Sequence, residues 1–250
     1  MIGKASLTTR ITLEPAFVLH RYDWSESSLI VEVLTRHHGR VALIAKGAKR
    51  PASNFRPVLL PMQPLRITYS GDAEVKALKS AEWVGGYAMP SGNALLTGFY
   101  LNELMMRLLP RDDPQEAVYQ LYAQTVQVVA QASNLQAPAL RAFELLLLHH
   151  MGWLPDLKVE TQTQSDLQAD RAYKLSVDAG LQRVGLQEPN AIAGSDWLQL
   201  TSLDFAALIG LLAKNAPLAQ SLKSQLRALL NYHAGRPLQT PLMLTTMQQL

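Results

Sequence analysis

Leu29-Ile30-Val31-Glu32-Val33-Leu34, then Thr35-Arg36-His37-His38-Gly39-Arg40, then Val41-Ala42-Leu43-Ile44-Ala45: the fold turns on this stretch. Two aliphatic, β-branched runs flank a polar link that contains a glycine. That pattern predicts two strands joined by a hairpin, because glycine takes a positive φ without strain. Before it, Ala16-Phe17-Val18-Leu19 is a short apolar run that gives way to polar residues from His20. After it, Lys46–Pro57 holds Gly47, Pro51 and Pro57 and predicts an irregular loop. Leu65-Arg66-Ile67-Thr68-Tyr69 and Val75-Lys76-Ala77-Leu78-Lys79 alternate around a Ser70-Gly71-Asp72 turn. Five short strands over residues 15–84 predict a small closed barrel, since closure removes exposed strand edges.

The hydrophobic period changes after Pro90-Ser91-Gly92. Leu95, Phe99, Asn102 and Met106 fall on one helical face. Asp112-Asp113-Pro114 reads as the start of a second helix, carrying Ala117, Leu121, Thr125 and Val128, with the acids favoured there by the helix dipole. Pro138 opens a third, with Leu140, Phe143, Leu147 and Met151, and Gly152 ends it. Residues 155–195 are polar and poorly periodic, with one strand-like piece at 173–177; helices at about 202–214 and 217–234 follow. The expected organisation is an α+β, two-domain chain. A β-barrel occupies residues 1–85, and a helical domain with an irregular insert at about 155–195 occupies 86–250.

The chain has 250 residues, 48% apolar and 17% charged, ordinary values for a globular protein with a substantial core. The net charge is only +3 but is unevenly spread. Residues 1–80 hold 12 Lys/Arg against 6 Asp/Glu, and residues 81–250 hold 11 against 14. A polyanion-binding part joined to a neutral or acidic part would show such asymmetry. There is no cysteine, which excludes disulfides and thiolate metal sites. No secretory signal is visible, and the most apolar run, Leu145–Leu148, is far too short to span a bilayer. A soluble cytoplasmic protein is expected.

Ala16-Phe17-Val18-Leu19-His20, Ser25-Glu26-Ser27-Ser28-Leu29-Ile30, Thr35–Arg40 and Ala45-Lys46-Gly47-Ala48-Lys49-Arg50 resemble, in order, the opening of the RecO family. Pro61 fits the same block. Tyr100-Leu101-Asn102-Glu103-Leu104 and Leu140–Leu145 through Gly152-Trp153 are similar to that family's helical domain. The resemblance implies an N-terminal OB-fold, a helical domain and often a small zinc-binding insert. It implies binding of single- and double-stranded DNA and annealing of complementary strands. It also implies work with RecR and single-strand-binding protein to load a recombinase. The zinc-binding cysteines are missing, and Glu160 stands about where the first would be. No structural zinc, and no other cofactor, is therefore expected, and the degenerate insert should be held by packing alone.

Lys46, Lys49, Arg50 and Arg56 lie within eleven residues with no acid among them. By themselves they read equally as a phosphate-tracking surface, which binds by releasing condensed counterions, or as a solvated loop; the resemblance favours DNA. Arg36, His37, His38 and Arg40 form a second cluster on the hairpin, where an OB-fold also meets oligonucleotides; Arg36, His38 and Arg40 are taken as DNA-binding residues. Neither His37-His38 nor His149-His150 suits a metal, because neighbours on a strand or helix diverge. Tyr22, Trp24 and Phe55 are candidate base-stacking residues in apparent loops, whereas Phe17 and Tyr69 read as core. The resemblance makes Arg141, beside Phe143 and Leu147, part of a pocket for the acidic, aromatic-ended tail of single-strand-binding protein; otherwise it is a solvent-facing arginine. No nucleophile elbow or phosphate-cradling loop is present, so no catalytic residues are expected. The rival readings are a basic OB module for structured RNA and a pure protein-interaction scaffold.

Overall fold

A computed structural model describes residues 9–202 and 204–240. Five strands come first: β1 (Arg10–Asp23), β2 (Leu29–Thr35), β3 (Gly39–Ala45), β4 (Pro64–Ser70) and β5 (Val75–Trp83). Then come α1 (Asn93–Leu108), α2 (Glu116–Gln131) and α3 (Gln136–His150). Three short strands follow, β6 (Ala172–Ser176), β7 (Gly180–Val184) and β8 (Ile192–Ala193). The described chain ends with α4 (Gly194–Leu200), α5 (Phe205–Lys214) and α6 (Ala216–His233). Packing divides the chain into two compact units, Met1–Ser91 with Gly98–Ala123, and Gly92–Thr97 with Gln124–Leu250. The first five strands end at Trp83, and packing groups most of α1 and half of α2 with them.

In the first unit the strands close in the order β1-β2-β3-β5-β4, and β4 returns to β1. Of the pairings between these five described strands, β3–β5 is parallel and the others are antiparallel. Side chains alternate across a strand, so Val31, Val33, Val41, Leu43, Leu65 and Ile67 point inward together and fill the barrel. The β2–β3 hairpin closes at Thr35 opposite Gly39, whose φ of +68° suits glycine. A Cβ at Gly39 would also overlap the Asp113 carbonyl oxygen.

The first strand is longer than its apolar run, 14 residues rather than the four of Ala16–Leu19. It pairs with β4 through its first half and with β2 through its second, bulging between Val18 and His20. Backbone pairing carries it past the polar residues from His20 to Asp23, which face solvent, while Glu14 in its first half is buried. The second helix begins at Glu116, later than Pro114. Asp112 has a φ of +57° and its carboxylate pairs with Lys76 at 2.6 Å, so it closes a turn against the barrel and does not cap a helix. Phe17 meets Tyr87, Tyr119 and Tyr122 with ring centroids 5.2–5.9 Å apart. The Asn102 amide donates to the Leu19 carbonyl at 2.9 Å and accepts from the Tyr122 hydroxyl. Burial pushes the Tyr122 hydroxyl far above its ordinary pKa.

In the second unit α3 is the most enclosed element, buried from Ala142 through Leu148, and α5 and α6 pack on it. Gly152, at φ +71°, follows its last turn. The insert is not irregular: β7, β6 and β8 form a three-stranded antiparallel sheet. Nor is it held by packing alone. Tyr173, Leu175, Leu181, Ile192 and Trp197 are buried, while Gln225 on α6 accepts from Leu175 N–H at 2.5 Å. Thr161 Oγ1 accepts from Leu181 N–H at 2.8 Å, and the Glu160 carboxylate from Arg183 N–H at 3.2 Å. Among the described residues no single helix is long and apolar enough to cross a membrane.

Candidate nucleic-acid interface

The seven residues of β3 span about 20 Å at roughly 3.3 Å each, and the two basic clusters singled out in the sequence sit at its opposite ends. About the length of the strand therefore separates them.

At the hairpin end the cations are already engaged. Arg36 donates to Glu116 at 2.7 Å, and this pairing holds the Glu116 carboxyl below its usual range. His37 Nδ1 and His38 Nε2 lie 3.0 and 3.9 Å from Glu14. Arg40 donates to the Leu109 carbonyl and to Glu32, both at 2.9 Å. Glu32 has no exposed surface and is also met by Arg111, which reaches on to Glu74. Hydrogen bonding to Glu32 raises the Arg111 pKa, against the opposing cost of burial. A buried carboxylate needs such partners because desolvation alone would disfavour its charge. Arg36 and Arg40 thus join the barrel to the segment that leads into α2. Arg111 and Glu32 lie far apart in sequence, and nothing in the chain's local pattern joins them.

The loop end is different. Lys46, Arg50 and Arg56 are exposed. Successive turns shape the loop, with Arg50 N–H on the Gly47 carbonyl, Ser53 on Arg50 and Arg56 on Ser53. Phe55 anchors it by packing, partly buried, against the barrel core, and it also lines the two grooves beside the loop. Lys49 lies over the β1–β2 turn, its ammonium 2.8 Å from both Asp23 and the Ser25 carbonyl. An open groove of about 700 Å³ runs between the loop and β5, lined by Lys46, Arg50, Asn54, Lys79, Ser80 and Glu82 among others. A smaller one of about 280 Å³ is lined by Arg21, Lys49 and Arg56. Lys79 and Arg21 were not singled out in the sequence; each reads there as an isolated strand cation, and only barrel closure brings them to the loop. Tyr22 and Trp24 are exposed, 43% and 62%, while Phe17 and Tyr69 are core. Trp83, 59% exposed at the end of β5, was overlooked.

In the second unit Arg141 is buried, which corrects the solvent-facing alternative. It pairs with Glu144 one turn along α3. Lys223 and Arg227 on α6 share the same field: burial, then the charges of Arg227 and Arg141, lower the Lys223 pKa. The residues present do not fit a thiolate zinc site, for the chain has no cysteine. Among the described residues no group of three His, Asp or Glu could hold a metal ion.

Residues 10–87 match the family model described as Recombination protein O N terminal, and residues 89–242 match Recombination protein O C terminal. The chain is similar to proteins named DNA repair protein RecO. That of Variovorax paradoxus (strain S110) is 56% identical over 238 residues, covering 90% of this chain and 92% of the relative. That of Polaromonas naphthalenivorans (strain CJ2) is 53% identical over 245 residues, covering 96% and 98%. That of Polaromonas sp. (strain JS666 / ATCC BAA-500) is 52% identical over 248 residues, covering 97% and 99%.

Proposed function

This chain belongs to the RecO family, and we propose that it is a cytoplasmic, non-catalytic DNA-binding mediator of recombinational repair. In this reading it binds single- and double-stranded DNA through the barrel and anneals complementary strands. It helps load a recombinase together with RecR and single-strand-binding protein. The observation that carries the proposal is the groove at the loop end of the barrel, where Lys46, Arg50 and Lys79 line one surface and the neighbouring groove adds Arg21 and Arg56. Exposed cations there displace condensed counterions from a phosphate backbone, which drives binding without sequence preference. The hairpin residues Arg36, His38 and Arg40 contribute less in this reading, because Glu116, Glu14 and Glu32 already hold them.

For the acidic tail of single-strand-binding protein, the proposed site is the α3–α6 surface bearing Arg141, Lys223 and Arg227. Glu144 neutralises Arg141, so the exposed parts of Lys223 and Arg227 meet the peptide and Arg141 supports them from beneath. Annealing of complementary strands by the purified chain, bare and coated with single-strand-binding protein, tests the proposal. Acceleration of both is expected, and no acceleration of bare-strand annealing would overturn it. Stronger competition by structured RNA than by single-stranded DNA of equal length would favour an RNA-binding module.

A further inference from the structure

Strand pairing sets Tyr22 opposite Ile30, Ile30 opposite Ile44, and Ile44 opposite Ala77. Their neighbours Val31 and Leu43 point into the barrel, so this row faces outward. It crosses β1, β2, β3 and β5 as a band of apolar side chains, each partly or fully exposed. The His20 ring holds Tyr22 in a T-shaped contact, with centroids 4.4 Å apart. Two residues further along the chain stand Trp24 and Lys46, just past the ends of β1 and β3, and Lys79 within β5. Trp24 is 62% exposed, and Lys46 and Lys79 line one groove with Arg50. An apolar and aromatic band therefore runs beside a basic one.

Resting on the DNA-binding reading above, we infer that this outer face is a single-strand platform, on which Tyr22 and Trp24 stack against bases while Lys46, Lys79 and Arg50 take the adjoining phosphates. Stacking needs the flat face of a base, which a duplex hides between neighbours and a single strand offers. The phosphate contacts serve either form, whereas the aromatic contacts serve single strands alone. The platform thereby gives the barrel a higher affinity for unpaired DNA than for the duplex it also binds, and its His20 contact is a positioning interaction that limits how far the Tyr22 ring can turn. Ile30 and Ile44 supply apolar floor between the two edges.

The test is fluorescence anisotropy of a labelled oligo-dT, an abasic strand of the same length and a duplex. The proteins are the full chain, Tyr22→Ala/Trp24→Ala and Lys46→Glu/Lys79→Glu. Each lost stacking contact is expected to weaken oligo-dT binding by about tenfold. Abasic and duplex affinities and the salt dependence should not change in the aromatic variant. The charge variant should lose affinity for all three. Tyr22→Phe/Trp24→Phe keeps both rings and should retain oligo-dT affinity, which separates stacking from folding. If the aromatic variant keeps the wild-type preference for oligo-dT over the abasic strand, or loses both equally, the platform is overturned while the DNA-binding reading stands. If the wild-type chain binds none of the three, both fail.

Discussion

The guanidinium of Arg40 lies 2.9 Å from the carboxylate of Glu32, a side chain with no exposed surface. Arg40 is eight residues from Glu32 in sequence and on the neighbouring strand of the barrel, and Arg111 approaches the same carboxylate from beyond α1. An arginine that reads in the sequence as a phosphate ligand is thereby committed to the interior. Removing Arg40 leaves Arg111 as the remaining cation on this buried carboxylate, so the cost should stay below the roughly 3 kcal/mol of a fully broken buried pair. Arg40→Ala is expected to lower the melting temperature by several degrees, while the salt dependence of DNA binding stays as in wild type. A large loss of DNA affinity at unchanged melting temperature would return Arg40 to the binding surface.

The loop end should carry the electrostatics. If about five phosphates are neutralised, log affinity for single strands should fall against log salt with a slope near −3.5, at roughly 0.7 per contact. Lys46→Glu/Lys49→Glu/Arg50→Glu should flatten that slope and weaken all sequences alike. Arg36→Glu, at the far end of β3, should leave it unchanged. Titration of both variants across salt checks this, and equal effects would contradict the separation of the two clusters.

In the helical unit the roles of neighbouring cations should divide. Arg141→Ala removes a buried side chain and its ion pair with Glu144, and should chiefly lower the melting temperature. Lys223→Ala and Arg227→Ala should instead weaken an acidic peptide ending in a Phe carboxylate. The expected loss is roughly tenfold each, the scale of a charged hydrogen bond of about 1.5 kcal/mol. DNA affinity should not move. Calorimetric titration with peptide and with DNA on the same variants separates the outcomes.

His233 stacks on Trp153 with rings 4.1 Å apart and nearly parallel, and burial pushes its pKa below the ordinary 6.5. The unfolded chain therefore takes up a proton at this site at higher pH than the folded one does. Stability from this site is complete above about pH 6.5 and is lost as pH falls from there through the lower folded value. Thermal unfolding between pH 5 and 7 should show a shallower decline in His233→Phe than in wild type, because the ring stack survives without the titration. An identical decline in both would show that this histidine contributes nothing.

Much of the barrel could be read from the chain because its signals are local. Val31, Val33, Val41 and Leu43 alternate, and Gly39 marks the hairpin they need. The same holds for α3, α5 and α6, whose apolar spacing is local, and for the side-chain caps Asp204 of α5 and Asn215 of α6. The sheet of β6, β7 and β8 was missed in part because Gly180-Leu181-Gln182-Arg183-Val184 lacks clear alternation. Its order comes from distant partners, Gln225 for β6 and Thr161 for β7. The candidate site divides in the same way. The basic loop is visible as a run of cations, but whether a cation is free depends on acids elsewhere in the chain. Glu116 is 80 residues from Arg36, and Glu32 is 79 from Arg111. Lys79 joins Lys46 only because β3 and β5 close the barrel in parallel.

Phe17 projects from the barrel wall onto Tyr119 and Tyr122, and Asn102 reaches back to the Leu19 carbonyl. The barrel is thus not a transferable cassette. A fragment cut after the fifth strand would carry a naked aromatic face and an orphaned strand carbonyl, so it should aggregate when expressed alone. In the course of descent, too, this barrel could not have been exchanged by recombining genes at the strand–helix junction. Whatever replaced it had to bring its own first helix, or inherit the old one with a matching face.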